Sequence, residues 1–186
     1  MTTSANADRE AEFVRLYRRY QPHILAYARR RLPEADAVEV VGDVFLSAWR
    51  QLDVLSERPL PWLYRVAGNS VANQRRRSGR WQRLQERVHA TTRQRHALDH
   101  AVATVGRDAF ASAFAALREA DREVLRLVAW EGLQGAELAE ALGCSASSAK
   151  VRVHRARRRL ARLLGSDQPD STLTSTRSDL ATEVSS

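Results

Sequence analysis

Cysteine is nearly absent: Cys144 is the only one in 186 residues. A single thiol can form no intramolecular disulfide and no cysteine-based zinc site. Its simplest reading is a small side chain near a helix turn. Lysine is equally scarce, with Lys150 the only one among 30 basic residues. No window approaches a membrane span, and the start, MTTSANADRE, lacks the apolar core of a signal peptide. A soluble, intracellular chain with no membrane insertion is expected. Also missing are carboxylates clustered with histidine, a nucleophile constellation and a phosphate-binding glycine loop. An enzyme is therefore not expected, and no cofactor is implied.

What is present is positive charge. The formal net charge is +8 and the pI about 10.8, which favours a polyanionic partner. Arginine is the better bidentate ligand for phosphate and guanine. An arginine- and alanine-heavy composition also follows from a GC-rich genome, so composition alone does not decide.

The informative stretch spans residues 132–164, GLQGAELAEALGCSASSAKVRVHRARRRLARLL. Leu138, Ala139 and Leu142 recur at helical spacing. Gly143 follows where a left-handed stop is needed, and Ser145 and Ser147 can accept hydrogen bonds from the free amides of the next helix. On that helix Ala149, Val153, Ala156 and Leu160 form a narrow stripe of small and branched side chains. The opposite side presents Ser147, Lys150, Val151, His154, Arg155 and Arg158, flanked by Arg152, Arg157 and Arg159. No acid interrupts residues 145–164. Such a helix sits close on its partner and offers a basic face to a DNA major groove; a solvated surface helix is the plainer alternative.

Earlier in the chain, residues 1–8 are small and polar and are expected to be disordered. From Arg9 a helical face carries Phe13, Leu16, Tyr17 and Tyr20; Pro22 is expected to break it and open a new helix with Ile24, Tyr27, Ala28 and Leu32. A third helix, residues 36–52, has a broad apolar face (Val40, Val41, Val44, Phe45, Ala48 and Trp49) and an acidic first half with Glu34, Asp36, Glu39 and Asp43. Acids at a helix start suit its dipole. On a DNA-binding chain they would repel phosphate, so a protein partner is the other natural use. After a loop with Pro59 and Pro61, a helix over residues 62–88 places Trp62, Arg65, Asn69, Asn73 and Arg76 along one side, then gathers Arg75, Arg77, Arg80, Arg83 and Arg87 around Trp81. Arginines, amides and rings together suit an unstacked single strand; burial of Trp62 in the core is the alternative. His96 and His100 have helical ligand spacing but no third ligand nearby, so no metal is expected. Phe110, Phe114 and Leu117, then Val124, Leu127, Val128 and Trp130, predict two further helices. The serine- and threonine-rich end, residues 166–186, is expected to be a disordered tail.

Two stretches resemble the bacterial sigma factors of the extracytoplasmic-function type, the small promoter-recognition subunits of RNA polymerase. Residues 13–77 carry YRRYQPHILAYARRRL, DAVEVVGDVFLSAWRQLD and PWLYRVAGN; residues 117–164 carry LREADREVLRLVAWEGL and ELAEALGCSASSAKVRVHRARRRL. The resemblance implies an all-α chain of two small helical domains joined by a flexible linker: region 2 at 9–88, a linker at 89–107 and region 4 at 108–165. It implies docking on the clamp of the largest polymerase subunit through Glu39, Asp43, Phe45 and Trp49, with the flap as a further contact. Trp62, Arg65, Asn69, Asn73, Arg76, Arg77 and Arg80, with the preceding loop, map to capture of the minus-ten single strand. Ser147, Ser148, Lys150, Val151, His154, Arg155 and Arg158 map to reading of the minus-thirty-five duplex. Core RNA polymerase, promoter DNA and an anti-sigma factor are the implied partners, and the cytoplasm the implied location. Gly42 departs from the glutamine common before the last acid of the docking helix. An autonomous DNA-binding regulator is the rival reading, but it leaves the acidic helix and the stretch from Trp62 to Arg77 without a use.

Overall fold

Apolar residues at spacings of three and four organise seven helices in the computed structural model, which describes residues 2–88 and 105–165, with side chains at 6–79 and 108–165. No strand occurs among the described residues. Residues 89–104 of the expected linker, the pair His96 and His100, the expected tail at 166–186, and the side chains of Arg80, Trp81, Arg83 and Arg87 lie outside them.

Helix α1 runs Thr2–Arg29, α2 Glu34–Arg50 and α3 Leu60–Val88, with a 3-10 turn at Leu52–Val54 between the last two. Two expectations are corrected here. Residues 2–8 are helical rather than disordered, and Asn6 Nδ2 donates to Glu10 Oε1 at 2.7 Å; Ala5 and Ala7 favour helix, and the Asn6–Glu10 bond joins neighbouring turns on one face. Pro22 does not break the helix but lies inside α1. A proline in a helix interior costs about 3 kcal/mol. Just beyond it, Ile24 and Tyr27 are almost completely buried, and burying such side chains returns about 1.5–3 kcal/mol each. Pro22 and Arg18, whose carbonyl loses its donor, are both exposed, so water can satisfy that oxygen.

The first three helices pack on one another. Ile24, Tyr27 and Ala28 of α1 meet Val40, Val41, Val44, Phe45 and Ala48 of α2 and Leu63, Tyr64, Ala67 and Val71 of α3. At the α1–α2 seam Phe13 stands edge-on to Trp49 with ring centroids 5.1 Å apart, and Tyr17 edge-on to Phe45 at 4.7 Å. Pro61 occupies the first turn of α3, where its missing N–H costs nothing.

The second unit comprises α4 (Val105–Ala116), α5 (Glu119–Ala129), α6 (Gly135–Ala141) and α7 (Ala146–Leu163). Leu117, Val124, Leu127, Leu133, Leu138 and the alanines facing them are buried in it. The two units are not separated by solvent. Helix α6 packs on α3, and Leu127, Leu133, Leu138, Ala139 and Ala141 join the apolar cluster of the first unit.

Candidate nucleic-acid interface and acidic docking helix

The turn between α6 and α7 is built as its sequence predicts. Gly143 has φ +59°, a conformation that costs glycine nothing, and the Cys144 amide returns to the Ala139 carbonyl at 2.9 Å. Ser145 caps α7, its Oγ accepting from the Ser148 amide at 3.2 Å. Ser147 does not cap an amide; its Oγ pairs instead with that of Ser145 at 3.0 Å. Behind α7, Ala149 and Ala156 are fully packed, with Val153 and Leu160 half-buried beside them. Small side chains there let the helix lie close on α5 and α6, which projects the opposite face outward.

That face is Ser147, Ser148, Lys150, Val151, His154, Arg155 and Arg158, and all seven are exposed. None of its cations forms an ion pair with another described residue. Arg159, on the flank, behaves differently. Its Nη1 lies 2.7 and 2.8 Å from the two oxygens of Asp121, a buried carboxylate on α5 that also accepts from Arg118 Nε at 3.0 Å. Burial works to raise the Asp121 pKa, but the hydrogen bonds and charges of the two arginines prevail and hold it below the ordinary value. An acid within the basic unit thus anchors the helix that presents its basic face.

Along α3 the structure divides the expected single-strand residues. Trp62 is half-buried against the core, so one side of the indole belongs to packing. Arg65 and Asn69 line a cavity of about 490 Å³ opposite Leu142 and Gly143 of the second unit. Asn73 and Arg76 are exposed and hydrogen-bonded to each other. Arg77 reaches back to Glu39 on α2 at 3.1 Å. Before α3 the 3-10 turn exposes Val54, while Pro59 in the loop and Pro61 in the first turn of α3 are buried.

On α2 one assignment is corrected. Phe45 is 3% exposed and belongs to the aromatic seam, so it supports the helix and offers nothing to a partner. Trp49 is half-buried beneath the Arg9 guanidinium, 5.0 Å from its ring centroid. Glu39 is engaged by Arg77 and by Gln74 Nε2, whereas Asp43 is exposed. Val38 and Leu46 are about half exposed on the same side. Sequence reasoning passed over these two, although both fall off the Val40–Val44–Ala48 face when the helix is wound.

A further set of contacts joins the units and had no counterpart in the sequence reading. Arg31, whose side chain has no exposure, donates through Nε and Nη2 to Glu123 at 2.8 and 3.1 Å. Tyr27 donates to the same carboxylate at 2.7 Å. Arg30 places Nη2 at 2.8 and 2.6 Å from the oxygens of Glu131, and Arg75 pairs with Glu119. Burial, then the Glu123 charge, pushes the Tyr27 hydroxyl well above its ordinary pKa; burial, then Glu131, does the same for Tyr64. Both hydroxyls are therefore held in the protonated form, the one that can donate a hydrogen bond. Among the described residues no group of three or more histidine, cysteine or acidic side chains could hold a metal, and no helix is long and apolar enough to cross a membrane.

A basic recognition helix on a helix-turn-helix, set beside a three-helix unit with an acidic face, is the architecture of a promoter-recognition subunit. Sigma-70 region 2 matches residues 16–81, and Sigma-70, region 4 matches 107–160. The chain is 32% identical over 160 residues to the RNA polymerase sigma factor NccH of Alcaligenes xylosoxydans xylosoxydans, covering 77% of this chain and 82% of that protein. It is 30% identical over 163 residues to the ECF RNA polymerase sigma factor SigL of Mycobacterium tuberculosis, covering 84% and 92%. Among solved structures, the sigma factor RpoE in complex with the anti-sigma factor NepR from Bartonella quintana aligns with a TM-score of 0.58, 25% identity and coverage of 84% and 98%. CnrH in complex with the cytosolic domain of CnrY gives 0.54, 29%, 84% and 89%. The chain belongs to the extracytoplasmic-function family of RNA polymerase sigma factors, non-enzymatic proteins that direct promoter-specific transcription initiation.

Proposed function

We propose that residues 108–165 read the minus-thirty-five element as a duplex and that residues 9–88 dock on core polymerase and hold the minus-ten single strand. The observation that carries this reading is α7: seven exposed residues on a buried alanine stripe, with cations that no carboxylate of the described chain neutralises. Unpaired arginines at this density favour a polyanion, and phosphate contacts fix the register in which Lys150, His154, Arg155 and Arg158 meet base edges. On α3, Asn73 and Arg76 are the accessible start of a strand-binding face that Trp62, Arg65, Asn69, Arg77 and Arg80 would extend, aiding promoter opening. On α2, exposed Asp43 with Val38 and Leu46 forms a mixed acidic and apolar surface suited to the polymerase clamp, and Glu39 joins it when released by Arg77. The flap is assigned to the second unit. Two weak modules on one chain then gain avidity at a promoter of the right spacing. An anti-sigma factor is a further partner, since the aligned sigma factor RpoE is in complex with one, NepR. The cytoplasm, where the polymerase works, is the site of action.

Run-off transcription with sigma-free core polymerase and a genomic promoter pool tests this. Discrete start sites sharing a two-part upstream motif are expected. Specific duplex binding without transcripts would instead favour an autonomous regulator.

A further inference from the structure

The cations of α7 have an acidic sequence directly behind them in the chain. We propose that residues 166–186 return along the exposed face of α7 and occupy it in competition with the DNA backbone. The contact itself rests on charge and chain geometry; that DNA is the competitor rests on the reading of α7 above.

The face is left open by the rest of the fold. Lys150, Arg152, Arg155, Arg157, Arg158 and Arg162 are all exposed, and on this helix only Arg159 meets a carboxylate among the described residues. Like charges crowded on one helix repel, so an acidic segment close to them is stabilising. Residues 166–186 hold four acids, Asp167, Asp170, Asp179 and Glu183, against a single cation, Arg177. Acids directly after a helix C-terminus oppose its dipole unless cations lie near, and the last turn of α7 carries Arg162. Apolar matching points the same way. Val151, Leu163 and Leu164 are exposed on α7 and its cap, and Leu173, Leu180 and Val184 are the large apolar residues of the segment that follows.

Chain geometry permits the return. Gly165 has φ +71° and its amide donates to the Arg162 carbonyl at 3.1 Å, so the helix stops in a left-handed turn that takes the chain off the helix axis. From Lys150 to Arg162 the face is about 18 Å long at the helical rise. An extended chain from Gly165 to Asp179 reaches about 45 Å. Asp167 and Asp170 can therefore serve the end at Arg158 and Arg162, and Asp179 and Glu183 the end at Lys150. Tethering supplies these acids at about millimolar effective concentration. Exposed ion pairs worth little one at a time then act together. Phosphates need the same guanidinium groups, so the competition lowers affinity equally for every duplex, whatever its sequence.

Titration of a labelled duplex of arbitrary sequence, about twenty base pairs long, at about 50 mM salt tests the competition. Three forms are compared with the full chain. One ends at Gly165. Asp167→Asn/Asp170→Asn/Asp179→Asn/Glu183→Gln keeps the length and removes the acids. Asp8→Asn/Glu10→Gln/Glu12→Gln/Asp108→Asn, four exposed acids elsewhere, controls for net charge. At matched helicity the first two are expected to bind about fivefold tighter, as follows if the face is free in roughly a fifth of full-length molecules. The gain should shrink as salt is raised, because screening weakens the tail contact. The control should match the full chain. The contact itself is read without DNA: a nitroxide on Ser178→Cys, in a Cys144→Ser background, should broaden the backbone amide signals of Lys150, His154, Arg155 and Arg158 and leave those of α2 sharp. Unchanged affinity in both tail forms would overturn the proposal. So would equal tightening in the control, because charge alone would then explain it, and so would sharp α7 signals in the labelled chain. Run-off transcription by the wild type keeps the two readings apart: transcripts without α7 broadening sink only the tail contact. Broadening with no duplex bound by any form would instead refute the reading of α7 as a DNA face, on which the competition rests.

Discussion

Asp121→Asn isolates the anchor of the recognition helix. The substitution keeps the shape and one acceptor oxygen but removes the charge that meets Arg159 Nη1 at 2.7 and 2.8 Å. Hydrogen bonds to charged groups contribute about 1.5–3 kcal/mol, and the retained amide oxygen recovers part of that, so a loss of about 1–2 kcal/mol is expected. The Arg118 head is 68% exposed and adds little. Urea denaturation of wild type, Asp121→Asn, Arg159→Gln and the double variant gives the coupling directly. About 1 kcal/mol between the two positions is expected, well above the roughly 0.3–0.5 kcal/mol scatter of independent sites. Additive single effects would refute the claim that Asp121 holds α7 through Arg159. Duplex affinity is the wrong reporter here. Removing a carboxylate raises general attraction to DNA and would mask a loosened helix.

Other perturbations follow from the same geometry. Gly42→Ala should stabilise the chain by about 0.5–1 kcal/mol in the same denaturation assay, because an added Cβ meets nothing within 4 Å. Arg155→Ala should weaken specific duplex binding by about 1–3 kcal/mol in a mobility-shift titration if it reads a base, and flatten the salt dependence if it touches phosphate. Asp43→Arg should abolish co-purification with core polymerase while sparing duplex binding; normal docking would refute the role given to α2. Glu119 and Asp121 both have depressed pKa values, burial being outweighed by their arginine hydrogen bonds. The stability they add is therefore complete above the unfolded carboxylate range near pH 4 and is lost as pH falls through their lower folded values. Thermal melts should be flat from about pH 7 to 5 and drop below about pH 4.

Helices and caps were legible where one local rule decided. The stop at Gly143, the cap at Ser145 and the alanine stripe of α7 need only near neighbours, and all three are present. Pro22 was misjudged because a local penalty was weighed without the burial of Ile24 and Tyr27 that offsets it. Phe45 was assigned to a surface because an apolar helix face does not say which part meets a partner; Phe13 and Tyr17, far away in sequence, settle that. The pairing of Arg30 and Arg31 with Glu123 and Glu131 joins residues about a hundred apart. Periodicity cannot show such a contact. The only hint was a run of acids, Glu119, Asp121, Glu123 and Glu131, inside a unit otherwise basic enough to bind DNA.

Those acids explain how a chain this basic can both fold and bind. Where helices meet, arginines of the first unit and α5 find carboxylates: Arg9 meets Asp53, Arg30 and Arg31 meet Glu131 and Glu123, Arg77 meets Glu39, and Arg126 meets Glu119. On α7 only Arg159, at the packed flank, has a carboxylate among the described residues. On α7 charge is neutralised where the helix packs and left open where it faces outward, so Lys150, Arg152, Arg155, Arg157, Arg158 and Arg162 stand on one helix without a carboxylate among the described residues. Concentration matters because each phosphate neutralised releases counterions, and contacts along one groove act together. An even scatter of the same charge would attract DNA without choosing an orientation; placing the unpaired cations on one side of α7 selects the face that docks.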